Sequence, residues 1–336
     1  MKKIIMLSAA LLCAGRLFAS PIVAHPAQSI TELMNSGGTF TTYSGMALGG
    51  DTLYFGNFDT VRTYDLGSGT SGVLANVGSA ADITAFGMVG SSLHISQTLS
   101  YASPYPSNIG SVDGSGLTPV LTSGTQLGEA TYAVYDAAVY NGSYYFSANL
   151  GVVTNGSPVS GTTSGTRIYR LDGSSVTEIA DVGDVSGGLT FDENGNLYYA
   201  AQTGDGVVRF DAADVSAGGL DLSDATTVVN VTGSSIDFLS TGEMVITTGF
   251  GQEMASYDIA TGLKTHDIAS TSGADFMGKF VVDEDDTIHV ISTDWGAYES
   301  SLSSIVIPEP SSVVLMVAGA GGLVWFRRRR KYFFRG

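Results

Sequence analysis

The chain has a single cysteine, Cys13, within an apolar stretch near the N-terminus. No internal disulfide can form and no thiolate metal site can be assembled, so stability must come from a hydrophobic core. Basic residues are scarce as well. Of 15 Lys and Arg, nine stand at the two ends: Lys2, Lys3, Arg16, Arg327, Arg328, Arg329, Arg330, Lys331 and Arg335. The body keeps six (Arg62, Arg167, Arg170, Arg209, Lys264 and Lys279) against 31 acids, a net charge of about −25. Nucleic acid is excluded as a partner, because phosphate binding needs clustered cations. His-x-x-x-His, Glu-x-x-His and Gly-x-Ser-x-Gly patterns are missing, which removes the helical zinc site and the nucleophile elbow. Sustained helical periodicity is missing too.

What remains is an all-β composition: short Tyr-, Val-, Ile- and Phe-bearing runs between Gly- and Asp-rich turns. One pattern recurs six times: a small residue, an apolar strand, a turn with Gly or Asp, and a second apolar or aromatic strand. The copies span 45–55, 87–95, 136–146, 188–199, 235–246 and 278–290, with starts 42, 49, 52, 47 and 43 residues apart. A third strand often ends in an aromatic-Asp pair, as at Tyr64-Asp65, Phe210-Asp211 and Tyr257-Asp258, with a looser copy at Ile168–Asp172. Fourth strands follow at Val73–Val77 and Val176–Ala180. Four antiparallel strands per 40–50 residues is the size of a propeller blade. The sixth copy runs out of chain at Ser301–Ile305, while Ser29-Ile-Thr-Glu-Leu33 matches the fourth strand Ser175-Val-Thr-Glu-Ile179. The expectation is a six-bladed β-propeller over residues 29–305, closed by an N-terminal strand. An irregular β-sandwich or β-helix is the competing reading. The Tyr-Asp endings and the Asp192-Glu-Asn-Gly-Asn196 turn resemble the broad Kelch-like and NHL-like propeller superfamily. The paired glycines and Trp-Asp of its best-known members are absent, so no family catalytic residue carries over.

The ends read as addresses. Lys2 and Lys3, an apolar run from Ile4 to Gly15 and small residues beyond make residues 1–20 a secretory signal, with cleavage between Ala19 and Ala24. At the other end Pro308-Glu309-Pro310 precedes an uncharged run, Ser311 to Phe326, and then Arg327, Arg328, Arg329, Arg330 and Lys331. As a helix those 16 residues reach roughly 24 Å at about 1.5 Å per residue. That is short for a bilayer but tolerable with snorkelling arginines, and the basic cluster is a stop-transfer signal. The order of these parts resembles the PEP-CTERM sorting signal over residues 306–336. The resemblance implies that Pro308, Glu309 and Pro310 are recognised and cut by an exosortase. The membrane would then be a partner through a transmembrane segment at 311–326, and the product would reach the cell surface or the exterior, often among exopolysaccharide. A plain membrane anchor is the simpler alternative; a sortase signal would need Leu-Pro-x-Thr-Gly, which is absent.

Candidate chemistry is sparse. Asp192-Glu-Asn-Gly-Asn196 has alternating oxygen ligands like the front of a calcium loop, yet Thr203 holds the twelfth place, and Asn194-Gly195 suits a hairpin turn. Asp283-Glu-Asp-Asp286 occupies the equivalent turn of the last copy. Weak Ca²⁺ binding is the only cofactor these turns admit; otherwise none is expected. His94 and His289 stand where other copies carry Tyr, and His25 and His266 lie elsewhere. Asp136 and Asp237, on first strands, are expected near a central channel. The inserts Ser100–Gly116 and Gly151–Gly165 read as surface loops, with Tyr101, Pro104 and Tyr105 available to stack on a sugar. The expected function is an exported surface or matrix protein with a non-enzymatic role, either binding polysaccharide or protein or serving as a structural coat component. The alternative is a secreted propeller enzyme, a lyase or hydrolase acting on polysaccharide.

Overall fold

A computed structural model describes residues 22–307, apart from 26–27, 38–42, 79–81, 100–106, 123–130, 155–156, 184–186, 203, 205, 250, 273–274 and 297–298. The secretory signal, the Pro-Glu-Pro motif, the 311–326 segment and the basic cluster therefore lie outside the described residues, as do Tyr101, Pro104 and Tyr105.

Six sheets follow one another along the chain, antiparallel except where Leu220–Asp221 adds a short parallel edge to the third. The first comprises Tyr43–Gly49, Thr52–Asn57, Thr60–Asp65 and Thr70–Asn76. The second is Asp82–Val89, Ser92–Thr98, Ser107–Asp113 and Gly116–Thr122. The third is Thr131–Tyr140, Ser143–Thr154, Ser157–Asp172 and Ser175–Asp181. The fourth is Gly187–Phe191, Leu197–Ala201, Val207–Phe210 and Thr226–Val229. The fifth is Ser235–Phe238, Met244–Thr248, Glu253–Asp258 and Leu263–Ser270. The sixth holds Phe276–Val282, Thr287–Asp294 and Glu299–Val306. Its fourth strand is Ser29–Asn35, antiparallel to Glu299–Val306 with Ser29 opposite Val306. Val23–Ala24 adds a short edge to the fifth sheet beside Ala269 and Ser270.

Each innermost strand packs against the next, and the sixth against the first, so the chain is an all-β, six-bladed propeller. Apolar clusters lie between neighbouring blades, because a lone blade cannot cover both of its faces. Val61, Ile83 and Ile95 join the first two blades, and Ile291 and Leu302 of the sixth meet Tyr43, Leu53 and Phe55 of the first. Most side chains in these clusters are under 5 % exposed.

Two local expectations change. The Gly151–Gly165 insert is not a loop: the second and third strands of the third blade continue as a long hairpin, with Gly151 opposite Thr163 and Val153 opposite Pro158. Val152, Val153, Val159, Thr162 and Thr163 supply the β-branched residues that make a polar stretch extend. Within Ser100–Gly116, residues Ser107–Asp113 form the third strand of the second blade, and Ile109 and Val112 are buried. The fourth blade carries an addition that strand patterning hides. A one-and-a-half-turn helix, Ala212–Ala217, and a 3-10 turn capped by Asp221 and Asp224 separate its last two strands.

Candidate functional site: the central channel

An innermost strand has one edge without a strand neighbour, so alternate N–H and C=O groups face the channel and need partners. The sequence meets this need differently around the ring. In the first three blades hydroxyls donate to free carbonyls. Ser44 Oγ donates to the Ile83 carbonyl at 2.7 Å, Thr84 Oγ1 to that of Val134 at 2.6 Å, and the Tyr144 hydroxyl to that of Ala85. From the third blade onward carboxylates accept from free N–H groups. Asp136 Oδ2 accepts from Leu189 N at 3.1 Å, and Asp237 Oδ2 from Val282 N at 3.0 Å.

The inner strands bulge where these groups are needed. Pairing slips between Ser44 and Met46, Thr84 and Gly87, Val134 and Asp136, and Met277 and Phe280. A bulge leaves a residue unpaired and re-aims its side chain. Gly45 sits in the first slip at φ +51°, and a Cβ there would lie 2.4 Å from the Phe86 ring, so only glycine fits beneath it. Lys279 sits in the last slip. Its Nζ lies 2.7 Å from Asp136 Oδ1 and 2.8 Å from Oδ2. The third and sixth blades are opposite each other in a ring of six, so this ion pair crosses the channel.

Asp136 is 3 % exposed, and the Lys279 side chain is 15 % exposed. Asp237 is more accessible, yet each of its oxygens is engaged: Oδ1 accepts from Phe238 N at 2.9 Å and meets Thr190 Oγ1 at 3.5 Å. Burial pushes the Asp237 carboxyl above the ordinary carboxylate range; the backbone N–H groups and Lys279 oppose this, and Asp136 adds to it. Beside them the Tyr135 hydroxyl, which accepts from Gln202, is pushed up to about 12 by burial and by the Asp136 charge.

Above this barrier lies a cavity of about 540 Å³, within the range of small-molecule sites. Met46, Phe86, Ala137, Phe280 and Leu189 give it apolar walls, and Thr190, Asp237 and Lys279 a polar base. Its lining climbs to Tyr140, Phe191, Asp192 and Glu193, at the turns between first and second strands. Tyr140 and Phe191 stack there with centroids 4.9 Å apart. The arrangement can seat an amphipathic molecule or one sugar unit against aromatic rings. At its base the Asp136 and Asp237 carboxylates are engaged by backbone N–H groups and Lys279.

The structure brings Asp136 and Asp237 to the channel and leaves the other candidates elsewhere. Asp192 turns its oxygens inward, to Asn194 N, Asn196 N, Asn196 Nδ2 and the Tyr198 hydroxyl. Asp283 repeats this, with Asp285 N and Thr287 N on Oδ1 and His289 Nε2 at 3.0 Å from Oδ2. His289 thus takes the place of Tyr198, and its Nδ1 lies 2.8 Å from Ser304 Oγ. Burial lowers its pKa below 6.5, outweighing the nearby Asp283. His94, half-buried in the second blade, is lowered by burial too. His25 bonds through its backbone to the fifth blade, and His266 is exposed there. Among the described residues no group of three or more acids, histidines or cysteines is arranged to hold a metal ion. Sequence reading missed Lys279 and Thr190; the one signal for Lys279 was its place beside the small residue that opens each copy.

Comparison with known proteins bears on both ends of this description. The body is similar to a gluconolactonase from Xanthomonas campestris at 16% identity, covering 84% of this chain and 90% of that one, with a TM-score of 0.58. It is similar to regucalcin, a calcium-binding protein from Agrobacterium tumefaciens, at 13% identity, 81% and 92% coverage and a TM-score of 0.58. It also resembles virginiamycin B lyase from Staphylococcus aureus at 11% identity, 84% and 100% coverage and a TM-score of 0.54. At such identities the likeness establishes the fold alone. No curated protein matches the chain in sequence. Residues 306–331 match the PEP-CTERM protein-sorting motif, so the chain is a six-bladed β-propeller joined directly to a PEP-CTERM sorting tail.

Proposed function

We propose that this chain is an exported propeller, delivered by a secretory signal at residues 1–20 and sorted through its tail by an exosortase-type enzyme. In this reading residues 29–305 are the working domain and residues 306–336 a sorting signal. Pro308, Glu309 and Pro310 are recognised, 311–326 is held in the membrane, and Arg327 to Lys331 stop transfer. The product resides at the cell surface or outside the cell. Ser29–Asn35 latches the ring, tying the start of the domain to its last blade. Cleavage of the signal falls between Ala19 and Ala24, and the burial of Ile22 against Met254 and Phe280 supports a cut at the early end of that stretch.

The body binds rather than catalyses. The observation that carries this is the Lys279–Asp136 pair across the channel, which commits the most buried carboxylate to holding the ring. The cavity above it receives a saccharide unit of an extracellular polysaccharide or a side chain of a protein partner. A glycan array probed with the 22–307 body, run beside a turnover assay on the same polysaccharides, tests the assignment. Retained binding without turnover supports it, and turnover without retained binding overturns it.

Asp237 favours a second reading, a secreted lyase or hydrolase acting on polysaccharide. Its carboxyl is held high by burial at the base of a cavity, as catalytic acids are. Similar propellers include a gluconolactonase and a lyase. Turnover abolished in Asp237→Asn would establish it.

A further inference from the structure

The strand that leads toward the sorting motif ends on the rim where the cavity opens. The last strand ends at Val306, which lies opposite Thr287, the residue that follows the turn Asp283–Asp286. That turn is the sixth-blade counterpart of the one carrying Asp192 and Glu193 at the cavity mouth. Only Ile307, which packs against the core between the fifth and sixth blades, separates this strand end from Pro308. Ser311, where the uncharged run begins, is five residues beyond Val306. An extended chain spans roughly 17 Å over that interval at about 3.4 Å per residue.

We propose that in the uncut precursor this rim faces the membrane, so that the cavity mouth is covered until the tail is cut. The inference rests on the sorting reading above. The strand that ends at Val306 is held on both sides, by Thr287–Asp294 and by Ser29–Asn35, so the tether starts from a fixed point. The opposite rim, where the fifth blade ends at Ser270 and the chain continues through Ser272, is a whole strand length away. Turns on the membrane-facing rim carry Asp65, Asp113, Asp192, Glu193, Asp258 and Asp283. Their charge repels an anionic lipid surface within a Debye length of about 10 Å. The rim is therefore held near the bilayer by the tether rather than by adhesion, and cutting the tail frees it.

Single thiols in a Cys13→Ser background test this on the full chain in lipid vesicles. Glu193→Cys and Glu284→Cys report on the tail-side rim, and Ser272→Cys on the opposite one. All three residues are exposed in the folded body. Each variant is labelled with a bulky, membrane-impermeant maleimide, both in the membrane-bound full chain and in the body cut free at the motif. Labelling at residues 193 and 284 several-fold slower in the bound chain, with residue 272 unchanged, supports the inference. Equal rates at both rims in a chain that sediments with vesicles overturn it alone. A full chain that does not sediment with vesicles overturns the sorting reading, and this inference with it.

Discussion

The two halves of the central channel are built from the same strand position and solve the same problem with opposite chemistry. In the first two blades small and apolar residues fill the space, with the Phe86 ring lying over Gly45 and hydroxyls capping free carbonyls. From the third to the sixth blade, carboxylates cap free N–H groups and a lysine from across the ring balances them. A hydroxyl donor is neutral and is buried at little cost. A carboxylate acceptor is strong but must be compensated, so the charged half depends on one residue while the apolar half spreads its stability over many contacts.

Removing that residue should have the largest effect. Lys279→Ala leaves Asp136 buried and unpaired, with an expected loss of about 3–5 kcal/mol. Denaturant unfolding measures it, and Lys279→Met combined with Asp136→Asn should recover most of the loss. If the single variant unfolds like the wild type, the cross-channel pair is not what holds the charged half. The apolar half is attacked by Gly45→Ala, which sets a Cβ against Phe86 at positive φ. A loss of about 1–3 kcal/mol is expected, and Phe86→Leu in the same chain should relieve part of it.

A pH series sharpens the contrast further. Asp237 has a raised pKa in the fold, so between its unfolded value near 3.8 and its folded value the native state holds more protons. The stability it contributes falls as pH rises through that window. Asp237→Asn should remove this slope, seen as a flatter curve of unfolding free energy against pH. The smallest expected effect sets the two acidic turns side by side. Tyr198 closes one as a neutral phenol and His289 the other as a buried imidazole with a lowered pKa. The unfolded chain therefore binds more protons just below pH 6.5, and stability falls as pH drops from there through the folded value. His289→Tyr should flatten that decline, whereas Tyr198→Phe, which keeps His289, should leave it unchanged.

Much of this was legible in the residues, and unevenly so. The hairpin repeat exposed the blades because alternating burial is a local property of each strand, as at Thr52–Asn57, where Leu53 and Phe55 face the core. The Asp192 and Asp283 turns were readable as turns, since an aspartate capping the N–H groups two and four residues on is a local device. The 151–165 hairpin was not, because its Gly, Ser and Thr content resembles a loop until a partner strand is present. Lys279 could not be paired from sequence. Its carboxylate lies 143 residues away on the opposite blade, and the bulge that re-aims it leaves no mark in the periodicity.

The sequence alone determined the absence of disulfides, the acidic body, the number of repeating units and the sorting tail, since each is written in composition or in consecutive residues. Tertiary structure alone decided which carboxylate meets the channel lysine, that the two parts of the channel differ, and that the cavity opens on the rim where the last strand ends. The pairing of that carboxylate and the shape of the cavity depend on closing a ring, which makes neighbours of residues that the chain keeps far apart.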